Sequence, residues 1–229
     1  MRLLNCQRDF YIMYNAQNGL YFKNRQHAGI LLGEFLEPKY KDLNPIVIGI
    51  PRGGVEVAFY VAKALEAQLS IIISKKLPFP GQRELGFGAV SEEYSVYVSP
   101  MGTERLTPQT IDQIIEEQIL EINRRISTYR NGKPLPDISG RTVILVDDGI
   151  ATGITLVPVL KLCRKKNASK IIIASPVSGT TYDENLNEAD AIEVLLQPEH
   201  FYAVGQVYEK FGDFTDRELL NLLRLSEKE

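Results

Sequence analysis

Asp147 and Asp148 stand side by side at the end of an apolar run, Val143-Ile144-Leu145-Val146. Gly149-Ile150 follow, and then Ala151-Thr152-Gly153-Ile154-Thr155 ahead of a helical pattern. Adjacent carboxylates can accept hydrogen bonds from sugar hydroxyls or face a divalent cation. A loop of small and hydroxyl residues before a helix turns backbone N–H groups and the positive helix end toward a phosphate. Singly, Asp148 starting a turn or Thr152 capping a helix has an ordinary structural explanation. The whole run at this spacing reads as a site for a phosphorylated sugar.

A second candidate set precedes it. Pro51-Arg52-Gly53-Gly54 follows the apolar run Ile46–Ile50 and opens a helical pattern. Taken alone, Arg-Gly-Gly there is more often a plain turn, although the Arg52 guanidinium can hold two phosphate oxygens at once. Lys75, Lys76 and Arg83 fall in or beside a stretch from Lys76 to Pro100 that is punctuated by Pro78, Pro80, Gly81, Gly86 and Gly88. That stretch reads as a loop or hairpin long enough to serve as a lid, with Lys76, Arg83 and Glu84 as its candidate contacts.

These segments need a frame. Arg25 to Glu37 reads as an amphipathic helix ended by Pro38, and Val55 to about Ala67 as a second helix. Ser70 to Lys75 (SIIISK), Lys170 to Ser175 (KIIIAS) and Ala191 to Leu196 read as strands. Thr107-Pro108 starts the longest helix, whose Ile111, Ile114, Ile115, Ile119, Ile122 and Ile126 recur at helical spacing. Gly153 to Lys166 reads as a helix, and Thr215 with Glu218 as a capping box for a last one running to about Leu225. Alternating strands and helices predict an α/β fold with a parallel sheet of about five strands and helices on both faces. Ligands in such sheets bind at the carboxyl ends of the strands, where all three candidate segments lie. Residues 1–20 lack periodicity and read as an extension outside a single domain over residues 21–229.

Composition narrows the classes. The chain has 229 residues, 44% of them hydrophobic and 24% charged, which suits a globular enzyme. A formal net charge of −3 gives no electrostatic case for nucleic acid or an anionic membrane as partner. No apolar run approaches the ~20 residues that span a bilayer. Cys6 and Cys163 are too few for a disulfide framework, so a cytoplasmic setting is expected. With His27 and His200 the only histidines, no zinc-spaced Cys/His cluster can be drawn. Neither a P-loop nor a G-x-G-x-x-G motif occurs.

The order VILVDDGIATGIT closely resembles the phosphoribosyl-pyrophosphate signature of type I phosphoribosyltransferases. Together FKNRQHAGILLGEFL, IPRGGVEVA, KKLPFPGQRELGFGAVSE and HFYAVGQVYEKFGDFTDREL resemble a little-characterised bacterial and archaeal group of phosphoribosyltransferases. The resemblance covers residues 22 to about 225. It implies that Asp147 and Asp148 hold the ribose hydroxyls, and Mg²⁺ indirectly through those hydroxyls or water. Ala151, Thr152, Gly153, Ile154 and Thr155 would wrap the 5′-phosphate, and Arg52, Gly53 and Gly54 the pyrophosphate. It further implies 5-phosphoribosyl-1-pyrophosphate as donor, a small-molecule acceptor and a homodimer. Ala151 replaces an acid of the 6-oxopurine enzymes, which disfavours hypoxanthine or guanine and leaves the acceptor open. Tyr202, Tyr208, Phe211 and Phe214 could stack on a base or simply pack. A non-catalytic sugar-phosphate or nucleotide sensor on the same fold, or a phosphoribosyl hydrolase, stays open beside the transferase.

Overall fold

The sheet strands are short apolar runs whose residues face alternately to its two sides, so each demands a layer of helices above and below. The computed structural model describes residues 22–227, excepting the side chains of Arg83 and Glu84. The expected extension over residues 1–20 lies outside the described residues. Helix α1 (Arg25–Tyr40) is followed by β1 (Ile46–Gly49), α2 (Gly53–Leu65) and β2 (Gln68–Ile71). Next come β3 (Ser74–Phe79), β4 (Gln82–Ser91), β5 (Ser95–Val98), α3 (Pro100–Arg105) and the long α4 (Pro108–Arg130). The remainder is β6 (Thr142–Val146), α5 (Leu156–Lys165), β7 (Lys170–Val177), β8 (Ala191–Leu196) and α6 (Asp216–Ser226).

The main sheet is five-stranded, parallel throughout, in the order β2-β1-β6-β7-β8. The register sets Ile46 beside Val143 and Gly49 beside Val146, so the segments leaving β1 and β6 emerge together. Period-two alternation divides the core. Val47, Ile144 and Ile172 meet Leu32 and Leu36 of α1 and Val57 and Val61 of α2. Ile46, Ile48, Val143, Leu145, Ile171 and Ile173 meet Leu156, Val157 and Leu160 of α5. Among the described residues no helix is long and apolar enough to cross a membrane.

Three expectations are corrected. The SIIISK run does not form one strand: Ser70 and Ile71 end β2, while Ser74 begins β3 in a second sheet. Side chains from distant segments set the break, since Glu92 Oε1 accepts the Ile73 amide at 2.8 Å and Arg130 Nη1 donates to the Ile71 carbonyl at 3.1 Å. The helix expected to stop before Pro38 continues to Tyr40. Pro38 sits in the last turn, where its missing N–H forfeits one bond, and the buried Tyr40 hydroxyl donates to Glu193 at 2.6 Å to hold that turn. The helix expected from Gly153 begins at Leu156, because Gly153 adopts a left-handed φ of +72°.

The stretch over residues 76–100 is largely ordered sheet. β3, β4 and β5 form an antiparallel sheet whose Leu77, Phe79, Phe87 and Val90 are buried against Ile119 and Ile122 of α4. The isoleucine stripe of α4 packs as its spacing predicts, and Thr215 and Glu218 form the expected capping box on α6.

Candidate functional site

The site begins where β6 ends. The Asp147 amide still donates to Ala174 of β7 at 3.3 Å, and Asp147 Oδ1 accepts the Asp148 amide at 2.9 Å. Burial, and then the charge of Asp148, push the Asp147 carboxyl well above the usual carboxylate range. Downstream, the Ile150 amide donates to Val177 O and the Asp183 amide to Thr152 O, at 2.8 and 2.9 Å. Ser74 Oγ, from the second sheet, donates to Thr155 O at 2.7 Å. The loop from Ala151 to Thr155 is thus braced from three sides, while Ala151 and Thr152 stay exposed at its mouth. A side chain at Gly153 would run into Leu186 as well as meet an unfavourable φ.

The Pro51-Arg52-Gly53-Gly54 turn is placed against the acids by β1. Ile50 donates to Val146 O at 3.0 Å, and the Pro51–Arg52 peptide bond is cis. The two glycines form the contact surface. A Cβ on Gly53 would collide with Asp148 Oδ2, and one on Gly54 would stand 2.9 Å from both Asp147 Cα and Oδ1. The first turns of α2 and α5, which open from these two loops, have no side-chain cap. By contrast Asn24, Thr107 and Thr215 cap α1, α4 and α6. Uncapped first turns leave amide donors for an anion.

Cations gather on the far side of this turn. Arg52 Nη1 lies 3.8 Å from Asp216 Oδ1, which also accepts the Tyr129 hydroxyl at 2.7 Å. Arg125, one turn before Tyr129 on the same face of α4, is paired with Glu121 at 2.7 Å. Lys75 faces this group: burial, and then the charge of Arg125, push its amine below the usual lysine range, with Arg124 and Arg52 adding to the shift and Glu121 opposing it. Lys76 points to the opposite side of β3 and its side chain lies across Gly86. Arg83 and Glu84 sit at the hairpin end of β4, and their side chains are outside the described ones. Glu92 is buried in an ion pair with Arg130.

One site neighbour carried no sequence signal. Arg25, 8% exposed, donates from Nε to Asp148 Oδ2 at 2.7 Å and from Nη1 to Gly212 O at 2.8 Å. Its guanidinium lies 3.9 Å over the Phe211 ring, which also stacks on Tyr208 at 4.9 Å. The Tyr208 hydroxyl donates to Asp148 O at 2.6 Å. Phe211 is therefore packed by two neighbours, Tyr208 and Phe214 are buried, and Tyr202 is 86% exposed.

The chain matches the phosphoribosyl transferase domain family over residues 22–211. It belongs to the phosphoribosyltransferase family. Two Mycobacterium tuberculosis proteins, named "Putative phosphoribosyl transferase Rv0571c" and "Putative phosphoribosyl transferase MT0597", are each 35% identical to it over 206 residues. Those residues cover 88% of this chain, which spans 46% of the length of each of these curated relatives. The crystal structure of TT1426 from Thermus thermophilus superposes with a TM-score of 0.75 at 33% identity, covering 88% of this chain and 97% of that one. A phosphoribosyltransferase fold on a five-stranded parallel sheet, as expected from the strand and helix order, is thus shown, within a family of glycosyltransferase-type enzymes.

Magnesium suits the donor set present. Among the described residues no group of three or more His, Cys, Asp or Glu gathers to cage a metal. Mg²⁺ commonly binds through one or two carboxylates plus water and substrate oxygens, and Asp147 and Asp148 offer that many. The raised Asp147 carboxyl is a group that a neighbouring cation would return to its charged form.

Proposed function

We propose that this chain transfers a phosphoribosyl group from 5-phosphoribosyl-1-pyrophosphate to a small-molecule acceptor, a nucleobase or similar, and releases pyrophosphate. The observation that supports this most is the glycine-mediated contact of the Pro51–Gly54 turn with Asp147 and Asp148. It brings the Pro51–Gly54 turn directly against the two carboxylates that precede the Ala151–Thr155 loop.

In this reading the Ala151–Thr155 amides and the α5 N-terminus hold the 5′-phosphate. Asp147 and Asp148 accept the ribose hydroxyls, and the α2 N-terminus with Arg52 and Lys75 receives the pyrophosphate. As the bond from C1 to the pyrophosphate oxygen lengthens, positive charge grows on the ribose and negative charge on the leaving group. The acids stabilise the first and the cations the second, so the protein's contribution is positional and electrostatic, with no covalent nucleophile. Bound Mg²⁺, held by Asp147 and Asp148 through ribose hydroxyls or water, would neutralise part of the pyrophosphate charge.

The test is pyrophosphate release from the donor and Mg²⁺, screened across nucleobases and small amines. Release with one acceptor supports the transferase. Tight, silent binding of the donor across the panel would favour a sensor, and release with water alone a hydrolase.

A further inference from the structure

Asp148 is tied to two distant parts of the chain. Its carboxylate Oδ2 accepts from Arg25 Nε at 2.7 Å, and its backbone carbonyl accepts the Tyr208 hydroxyl at 2.6 Å. Arg25 is tied to Gly212 O and lies on Phe211, whose ring stacks on Tyr208. The first turn of α1 and residues 208–212 therefore form one clasp around a single aspartate. The Arg25–Asp148 bridge also fills the space beside Gly53, where a side chain would otherwise project.

We propose that Arg25 is a positioning residue for the phosphoribosyl site: it commits Asp148 Oδ2 to the protein and leaves Oδ1, with Asp147, to meet the ribose. This rests on the donor assignment above. The geometry supports it because Arg25 is buried, Nε and Nη1 are both bonded and its flat face lies on Phe211, which fixes the guanidinium and, through it, the carboxylate plane. The same packing gives Tyr208 and Phe211 a role in holding Asp148. Tyr208 is buried in this arrangement, while Phe211 keeps 36% of its surface exposed.

A lysine at position 25 keeps the charge but cannot bond Asp148 and Gly212 together while lying flat on Phe211. The test is a double-mutant cycle of Arg25→Lys and Asp148→Asn, read by calorimetry with the donor plus Mg²⁺ and, separately, with metal-free pyrophosphate. Arg25→Lys is expected to weaken donor binding about tenfold and leave pyrophosphate binding unchanged. The double variant is expected to bind the donor as Asp148→Asn does, since Arg25 acts through Asp148.

Wild-type donor affinity in Arg25→Lys, losses that add in the double variant, or an equal loss of pyrophosphate binding would each overturn the inference. If Arg25→Lys does not fold, Phe211→Leu takes its place in the cycle. It removes the platform and keeps the ion pair, with a loss of about threefold expected, and unchanged binding again overturns the inference. A wild-type chain that binds no donor overturns the donor assignment, and the inference falls with it.

Discussion

Gly54 lies against Asp147 so closely that a Cβ on the glycine would stand 2.9 Å from the aspartate's Cα, its Oδ1 and the Val146 carbonyl. Two loops from neighbouring parallel strands thus meet with no side chain between them. Gly54→Ala must push the turn away from the acids. A stability loss of about 1–3 kcal/mol is expected, with at least a tenfold weaker affinity for the donor. Gly132→Ala is the control. Gly132 has a φ of +74° and open space around it, so alanine there costs about 1 kcal/mol and leaves binding intact. Denaturant titration and calorimetry on both variants check this.

Lys75 carries its charge in a place that disfavours it, half-buried and facing Arg125. Its folded pKa lies below 10.5, so between that lowered value and 10.5 the unfolded chain binds more protons. Stability therefore rises with pH through that window, and the full penalty applies below it. Lys75→Met should raise Tm at neutral pH by about 2 °C and weaken pyrophosphate binding. Thermal unfolding across pH, with and without pyrophosphate, separates the two effects.

Asp147 shows the opposite linkage. Its folded pKa lies above 3.8, so between 3.8 and the raised value the folded chain holds the extra proton. Stability from this group is highest on the acid side and falls as pH rises through that window. Asp147→Asn should flatten this slope and unfold at a higher temperature than wild type at neutral pH, while losing Mg²⁺-dependent donor binding. Calorimetric unfolding at a series of pH values is the measurement. A wild-type slope that persists in the variant would assign the effect elsewhere.

Glu92 and Arg130 form a buried pair away from the opening. Burial, and against it the charge of Arg130, leave the Glu92 carboxyl above its usual range. Arg130→Met would strand that carboxylate and free the Ile71 carbonyl. A loss of about 3–5 kcal/mol is expected, lowering Tm by roughly 10 °C. Denaturant unfolding at neutral pH measures it.

The strand-acid-loop run, the Arg-Gly-Gly turn and the isoleucine helix were legible because each is local: its meaning is set by neighbours within a few turns of chain. Arg25 was not legible, since its partners Asp148 and Gly212 are distant in sequence and a lone arginine at a helix start reads as solvated. The split of SIIISK was hidden for the same reason, as Glu92 and Arg130 impose it. The opposite facing of Lys75 and Lys76 was legible as well. Lys75 alternates with Leu77 and Phe79, both buried, so period two sets it on the face toward α4 and the other cations.

The pairing of β1 with β6 has a consequence for how the molecule comes into being. The chain up to α4 contains the Arg-Gly-Gly turn, both edges of β1 and the whole antiparallel sheet, but neither acid. During synthesis that portion emerges first and leaves one edge of β1 unpaired until β6 arrives to dock beside it. Closing so long a loop is slow compared with pairing neighbours in sequence. On the proposed reading a donor needs both loops at once, so its capture in a refolding experiment would report the docking of β6 directly.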